Sequence, residues 1–150
     1  MSSEPFAGPP NPRVPTSGSE AMQLFLPNSP FVRHLGIELI EIGDSHARLR
    51  MPYRKELVTI GTMVHGGALA GCVDVGVMAA AWAGDRVPEK LRGVTVSMSI
   101  EFIDAAFEED IDIVGTRLRR GRRLSSCSVD LVTTVGERLV ARGMGTYQVG

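Results

Sequence analysis

The sequence predicts an α+β fold in which an antiparallel β-sheet wraps around one long central helix. Three observations carry this expectation. Residues 66–83, GGALAGCVDVGVMAAAWA, are apolar or small throughout, with Asp74 as the single charge. A helix built from that run has no polar face to offer water, so other elements must cover it on nearly all sides. From Val94 the pattern changes to period two: Val94, Val96, Met98, Ile100 and Phe102 alternate with Thr95, Ser97, Ser99 and Glu101, as on a β-strand. Three more strand-like runs follow, 110–120, 123–134 and 138–149, separated by turn glycines Gly121 and Gly136.

The elements read in order as follows. Residues 1–18 hold Pro5, Pro9, Pro10, Pro12 and Pro15 among Gly and Ser. That composition builds no core, so a disordered leader is expected there, with one domain over 19–150. Ser19 is a candidate cap for a short helix, Glu20–Leu26, ended by Pro27 and Pro30. Phe31–Leu35 gives a second short turn. Residues 37–42 and 46–51 then alternate around Gly43-Asp44, which predicts a half-buried hairpin that Pro52 stops. Tyr53–Val64 reads as a loop into the helix 65–84, closed by Gly84. A polar linker, Asp85–Arg92, precedes the strands. Within 110–120 the apolar phase changes between Ile113 and Val114, which predicts a bulge or bend there.

Composition excludes several classes of function. The chain has 150 residues and a formal net charge of -1, so it offers no basic field for nucleic acid or an anionic membrane. The run 66–83 approaches the length of a membrane span but holds four glycines and a central acid. An acid at the bilayer centre costs about 3 kcal/mol on insertion scales, so a buried helix is the better reading. Cys72 and Cys127 lie in apolar patterns without metal-ligand spacing. Together with the lack of a signal-peptide pattern, they point to reduced thiols and a cytoplasmic setting.

Chemistry concentrates on the central helix. A lone carboxylate inside an apolar run is costly unless something satisfies or uses it. His65-Gly66-Gly67 opens the helix, where leading N–H groups lack partners and the helix dipole favours negative charge. Such an end can hold a developing oxyanion, or the glycines serve only close packing. Eight residues separate Gly66 from Asp74, about 12 Å at the helical rise, so one carbonyl does not easily meet both in one chain. If both act on one substrate, the helix start of one subunit faces Asp74 of another, which predicts a homo-oligomer. His65 either contacts substrate or simply caps the helix. His34 and His46 fall elsewhere, so no metal site is expected, and the G-x-S-x-G elbow of a serine hydrolase is missing.

The segment GTMVHGGALAGCVD, 61–74, resembles the hot-dog-fold acyl-CoA thioesterases of the PaaI type, which include 4-hydroxybenzoyl-CoA thioesterases and human thioesterase superfamily members. The resemblance runs from about Phe31 to the C-terminus through LGIEL, GVTVSMSIEF, RRGRR and LVARGMGTYQV. It implies a hot-dog fold and hydrolysis of an aromatic or medium-chain acyl-CoA to free acid and coenzyme A. It implies that Asp74 activates water or attacks as nucleophile, and that the Gly66 N–H polarises the thioester carbonyl from the facing subunit. It implies that Thr95 contacts the attacking water. Where many relatives place Asn or Gln before the HGG loop, this chain has Thr59, which shortens the reach toward water. No cofactor is implied, since coenzyme A is part of the substrate. The oligomer implied is a dimer or a homotetramer built as a dimer of dimers.

Around these positions, Leu57, Val58, Met63 and Met78 are candidates for the acyl pocket or for the core, with His65 and Gly67 beside them. The turn Arg119-Arg120-Gly121-Arg122-Arg123 offers Arg120, Arg122 and Arg123 to coenzyme A phosphates, or is a solvated tip. A non-catalytic acyl-CoA-binding module or sensor is the alternative function, and a hot-dog dehydratase a third. The buried acid speaks against the first and the lack of a mid-helix His against the second.

Overall fold

The computed structural model describes residues 13–150. Its elements run α1 (Gly18–Phe25), α2 (Pro30–Leu35), β1 (Glu38–Ile42), β2 (His46–Met51), β3 (Val58–Ile60), β4 (Met63–Val64), α3 (Gly66–Trp82), β5 (Gly93–Phe102), β6 (Ile111–Arg120), β7 (Leu124–Thr133) and β8 (Leu139–Val149). Six strands form one antiparallel sheet in the order β1-β2-β6-β7-β8-β5, and β3 with β4 forms a separate hairpin. The sheet wraps α3, which packs on β2, β5, β6, β7 and β8. This is the expected hot-dog arrangement.

The helix meets the sheet at glycines. A side chain at Gly115 of β6 would put its Cβ 2.6 Å from the Gly76 carbonyl oxygen of α3, and one at Gly76 would sit 2.8 Å from Ile113 Cγ2. Gly143 and Gly145 of β8 leave the same kind of room for Val73 and Val77. With no Cβ on the sheet, helix backbone and strand backbone come into direct contact. Val73, Val77, Ile111, Ile113, Val129 and Leu131 then close the core around them, all fully buried.

Much of the other side of α3 is covered by α1 and α2 of the same chain. Phe31 and Leu35 of α2 pack over Gly71, and α1 lies beside the C-terminal half. One row stays half-exposed: Gly66, Ala70, Asp74 and Met78, four residues apart, with Gly67 exposed at the helix start. That spacing makes a single stripe along one face. So Asp74 is not deeply buried; it lies on the one open strip of an otherwise covered helix.

Several boundaries differ from expectation. Residues 1–12 lie outside the described residues. Pro15 is buried and Gly18 already opens α1, so the packed body reaches back into the segment expected to be leader. Ser17, not Ser19, caps α1, accepting from the Glu20 N–H at 3.0 Å. Ser19 instead ties α1 to the end of α3. Its N–H donates to the Gly84 carbonyl at 3.0 Å, and its hydroxyl accepts from the Gly84 N–H at 2.9 Å. In β6 the pairing with β7 stays regular through Ile113 and Val114, and the irregularity falls later, between Arg117 and Arg119.

Asp112 of β6 points away from the helix yet is only 1% exposed. Arg50 Nε donates to it at 2.7 Å, Arg48 Nη2 at 2.8 Å and the Thr134 hydroxyl at 2.7 Å. Burial alone would push this carboxyl up, but hydrogen bonds from Arg50, Thr134 and Arg48 outweigh it and bring it down to about 2.

Two outcomes follow for stability. Gly115→Ala forces helix and sheet apart and lowers unfolding free energy by about 1–3 kcal/mol, read from a urea midpoint. Because the folded Asp112 carboxyl sits below its unfolded value, near 3.9, its stabilisation is complete above that pH and fades as pH falls toward about 2. The loss is on the order of 2 kcal/mol. An acid titration of Asp112→Asn should lack that share of the pH dependence.

Candidate active site

The start of α3 is built by the loop before it. The His65 N–H donates to the Leu57 carbonyl at 2.8 Å, and the Val64 N–H to the Ala106 carbonyl at 2.9 Å, which fixes the chain as it enters the helix. His65 is the cap: its Nδ1 accepts from the Gly67 N–H at 2.7 Å. Its carbonyl accepts from the N–H groups of Ala68 and Leu69. Within the first turn this leaves the Gly66 N–H without a partner among the described residues. A Cβ on Gly66 would meet only the Phe102 ring at 3.7 Å, an ordinary contact, so no packing within the chain demands glycine there. Gly67 is different, because a Cβ would lie 2.9 Å from His65 Nδ1. Gly67 and His65, both expected to touch substrate, are committed to each other as a cap, and Gly66 carries the open donor.

Asp74 lies two turns further along. The Thr95 hydroxyl donates to Asp74 Oδ1 at 2.7 Å, and Oδ2 has no partner among the described residues. This contact depends on a bulge the sequence pattern did not reveal. Simple alternation put Thr95 on the opposite face of β5 from Met98, Ile100 and Phe102. In the structure Thr95 pairs with Tyr147 and Ser97 with Thr146, so Val96 is an extra residue. The bulge shifts the phase and brings Thr95 to the helix side, together with Met98, Ile100 and Phe102.

The remaining expected residues scatter. Thr59 is exposed on the β3–β4 hairpin and makes no contact with Asp74 in the same chain. Met63 is half-buried beside the helix start and bridges to Phe107, Val58 is half-buried on β3, and Leu57 is core. Met78 is one turn beyond Asp74 and lines a cleft of about 490 Å³. Its walls include Met22, Leu24 and Phe25 of α1, Leu91 to Gly93, Trp82 and Tyr147, with Arg13 and Asn28 as polar members. Asp74 and Thr95 do not line the cleft themselves; Met78, one turn on from Asp74, and Tyr147, the cross-strand neighbour of Thr95, do. The sequence reading missed α1 as a wall, because its apolar residues looked like ordinary core.

Arg120 spends part of its guanidinium on the chain itself. Its Nη2 donates to the Ala83 carbonyl at 3.0 Å and to the Ala81 carbonyl at 3.3 Å, closing the end of α3 together with Arg117, which donates to Ala80 and Ala83. Positive side chains belong at that end of a helix. Burial, and then Arg117 and Arg86 nearby, pull the Arg120 guanidinium below its usual value. Arg122 and Arg123 are exposed at the tip. No group of three His, Cys, Asp or Glu side chains among the described residues could hold a metal ion.

The sequence from 54 to 148 matches the family model described as the acyl-CoA thioesterase N-terminal domain. The chain belongs to this family. Human acyl-coenzyme A thioesterase 13 is 34% identical over 124 residues, spanning 80% of this chain and 85% of that protein. The crystal structure of zebrafish thioesterase superfamily member 2 overlays with a TM-score of 0.75 at 29% identity, covering 89% of this chain and 99% of that one. The PaaI protein of the E. coli phenylacetic acid degradation operon shares the fold, with a TM-score of 0.76 at 17% identity, over 89% and 93% of the two chains. The protein is thus a thioester hydrolase of hot-dog fold. The candidate site has two parts, a Gly66 N–H without a partner among the described residues and the Asp74 carboxylate bound by the Thr95 hydroxyl.

Thr95→Ala removes the hydrogen bond to Asp74 and should lower kcat roughly 10- to 100-fold with a smaller change in KM. Thr95→Ser keeps the hydroxyl and should restore most of the rate; equal losses in both variants would count against a positioning role.

Proposed function

We propose that this thioesterase hydrolyses acyl-CoA thioesters with aromatic or medium-chain acyl groups to free acid and coenzyme A. The carrying observation is Asp74. One of its oxygens is held by Thr95, the other has no partner among the described residues, and the residue lies on the half-exposed strip of α3. As general base, Asp74 takes a proton from water while the water oxygen bonds to the thioester carbonyl carbon. As nucleophile, Asp74 bonds to that carbon itself and water later cleaves the acyl intermediate. In either route the carbonyl oxygen becomes an oxyanion, for which an unpartnered backbone N–H at a helix start is a fitting donor. The C–S bond then breaks and coenzyme A leaves as thiolate. A thiol is acidic, near 8.5, so no dedicated acid has to protonate it on leaving.

The oxyanion donor comes from a second subunit in this reading. Gly66 and Asp74 are about 12 Å apart along one helix, so the Gly66 N–H of a facing chain meets Asp74. Thr59, on the hairpin beside Gly66, arrives with it. Two exposed features support association: the open strip on α3 and the outer edge of β5, where Val94, Val96 and Phe102 are each more than half exposed. A ten-residue edge strand with exposed apolar side chains and an open outer edge favours pairing with another chain. A dimer, or a homotetramer built from two dimers, fits both. Arg122 and Arg123 remain for coenzyme A phosphates. No cofactor is needed beyond the coenzyme A carried by the substrate. The free thiols Cys72 and Cys127 fit a cytoplasmic enzyme, and no helix among the described residues is long and apolar enough to cross a membrane.

The test is thiol release across short, medium, long and aromatic acyl-CoAs, followed with a chromogenic thiol reagent. Burial pushes Cys72 up to about 12 and Cys127 up to about 11, so the native protein should contribute little background. Asp74→Ala and Asp74→Asn should lose roughly 10²- to 10⁴-fold in kcat while staying folded. Binding of acyl-CoA without thiol release by the wild type would instead favour the non-catalytic binding module.

A further inference from the structure

The cleft next to Met78 is lined mainly by apolar side chains, with Arg13, Asn28 and Arg92 among its walls, and the buried Tyr147 hydroxyl carries a proton that no acceptor among the described residues takes. Tyr147 is 5% exposed, and its hydroxyl accepts from the Trp82 indole N–H at 3.4 Å. A buried hydroxyl ordinarily has a partner for its proton. The ring is held in place by a deliberate gap: a Cβ on Gly93 would lie 2.6 Å from the Tyr147 hydroxyl oxygen and 2.5 Å from its ring. Burial, partly offset by the Trp82 bond and reinforced by the charge of Asp74, raises the Tyr147 hydroxyl above its usual value, so it keeps its proton near neutral pH.

Position along the helix gives the scale. Met78 is four residues and Trp82 eight residues from Asp74, so Trp82 stands about 12 Å along the helix axis from the carboxylate. A medium-length acyl group reaching from Asp74 past Met78 would come to the Tyr147–Trp82 pair. The cleft volume of about 490 Å³ falls within the range of ordinary small-molecule pockets.

Resting on the thioesterase reading above, we infer that this cleft receives the acyl group and that the Tyr147 hydroxyl selects acyl groups with an acceptor oxygen far from the thioester. A plain hydrocarbon chain entering the cleft would displace water from Tyr147 and leave its proton unpaired. A keto or hydroxyl oxygen at the far end would take that proton. The discrimination comes mainly from the penalty on the unpaired donor. Tyr147 is thus a specificity residue, Gly93 makes room for it, and α1 forms the opposite wall.

The experiment compares kcat/KM for two medium-chain acyl-CoAs of equal length, one unsubstituted and one with a keto or hydroxyl group near its far end. The wild type should prefer the oxygenated chain by about tenfold. Tyr147→Phe should raise the value for the plain chain, lower it for the oxygenated one and abolish the preference. Leu24→Trp, which narrows the cleft from a half-exposed position on α1, should shorten the longest chain accepted. A preference that survives in Tyr147→Phe, a wild type with no preference, or an unchanged length limit in Leu24→Trp would each overturn the inference. Failure of the thioesterase reading looks different: the wild type would release no thiol from either substrate.

Discussion

The whole arrangement rests on how closely α3 approaches the sheet. A helix without a polar face survives in water only if its cover is nearly complete, and cover from a sheet is best when little stands between the two backbones. Gly115 against Gly76, with Gly143 and Gly145 beside Val73 and Val77, removes the intervening side chains. Volume is then recovered by Ile113, Val129 and their neighbours at the sides of the contact. This tight seat fixes the rotation of α3. Once the rotation is fixed, the strip Gly66, Ala70, Asp74 and Met78 must face outward between α1 and β5. The core packing and the location of the carboxylate are therefore one constraint seen from two sides.

A second constraint acts from the sheet. A regular β5 would carry the Thr95 hydroxyl away from the helix. The extra residue at Val96 costs ladder pairing at the edge of the sheet, where pairing is least cooperative, and turns Thr95 inward. The same local shift leaves Tyr147 opposite Thr95 on the helix side, with Gly93 clearing space for its ring. One irregularity at an edge thus delivers a hydrogen bond to Asp74 and borders the cleft next to it.

Much of this was legible in the chain. The apolar run 66–83 and the alternation after Val94 specified the helix and the wrapped sheet, because burial on all sides and burial on one side leave different periods. Asp74 stood out because a charge in such a run is costly unless something satisfies or uses it. What escaped notice depended on events that leave no periodic mark. The Val96 bulge is invisible because Val fits a strand whether paired or extra. Arg120 in a run of arginines looked like a surface anion site, and its second role, donating from Nη2 to the carbonyls at the end of α3, has no local pattern. Ser17 rather than Ser19 capping α1 reflects a tertiary demand, since Ser19 is needed to tie Gly84. The role of α1 itself came from its position over Met78 and Trp82, which no local pattern encodes.

The two parts of the site differ in what holds them. The Gly66 donor is set locally: His65 takes the Gly67 N–H and both following ones, leaving one N–H by elimination. The Asp74 carboxylate is set by long-range packing, through β5 and the seat of the helix. A single chain therefore presents an N–H donor and a carboxylate on one strip, separated by a distance that no planar thioester group spans. In the proposed reading, pairing two strips antiparallel would bring the donor of each chain to the carboxylate of the other. Two identical sites would then arise from one surface, as a two-fold interface requires. The glycine at 66, which the fold of one chain does not need, is explained on this view by the close approach of a substrate carbonyl held against the facing subunit.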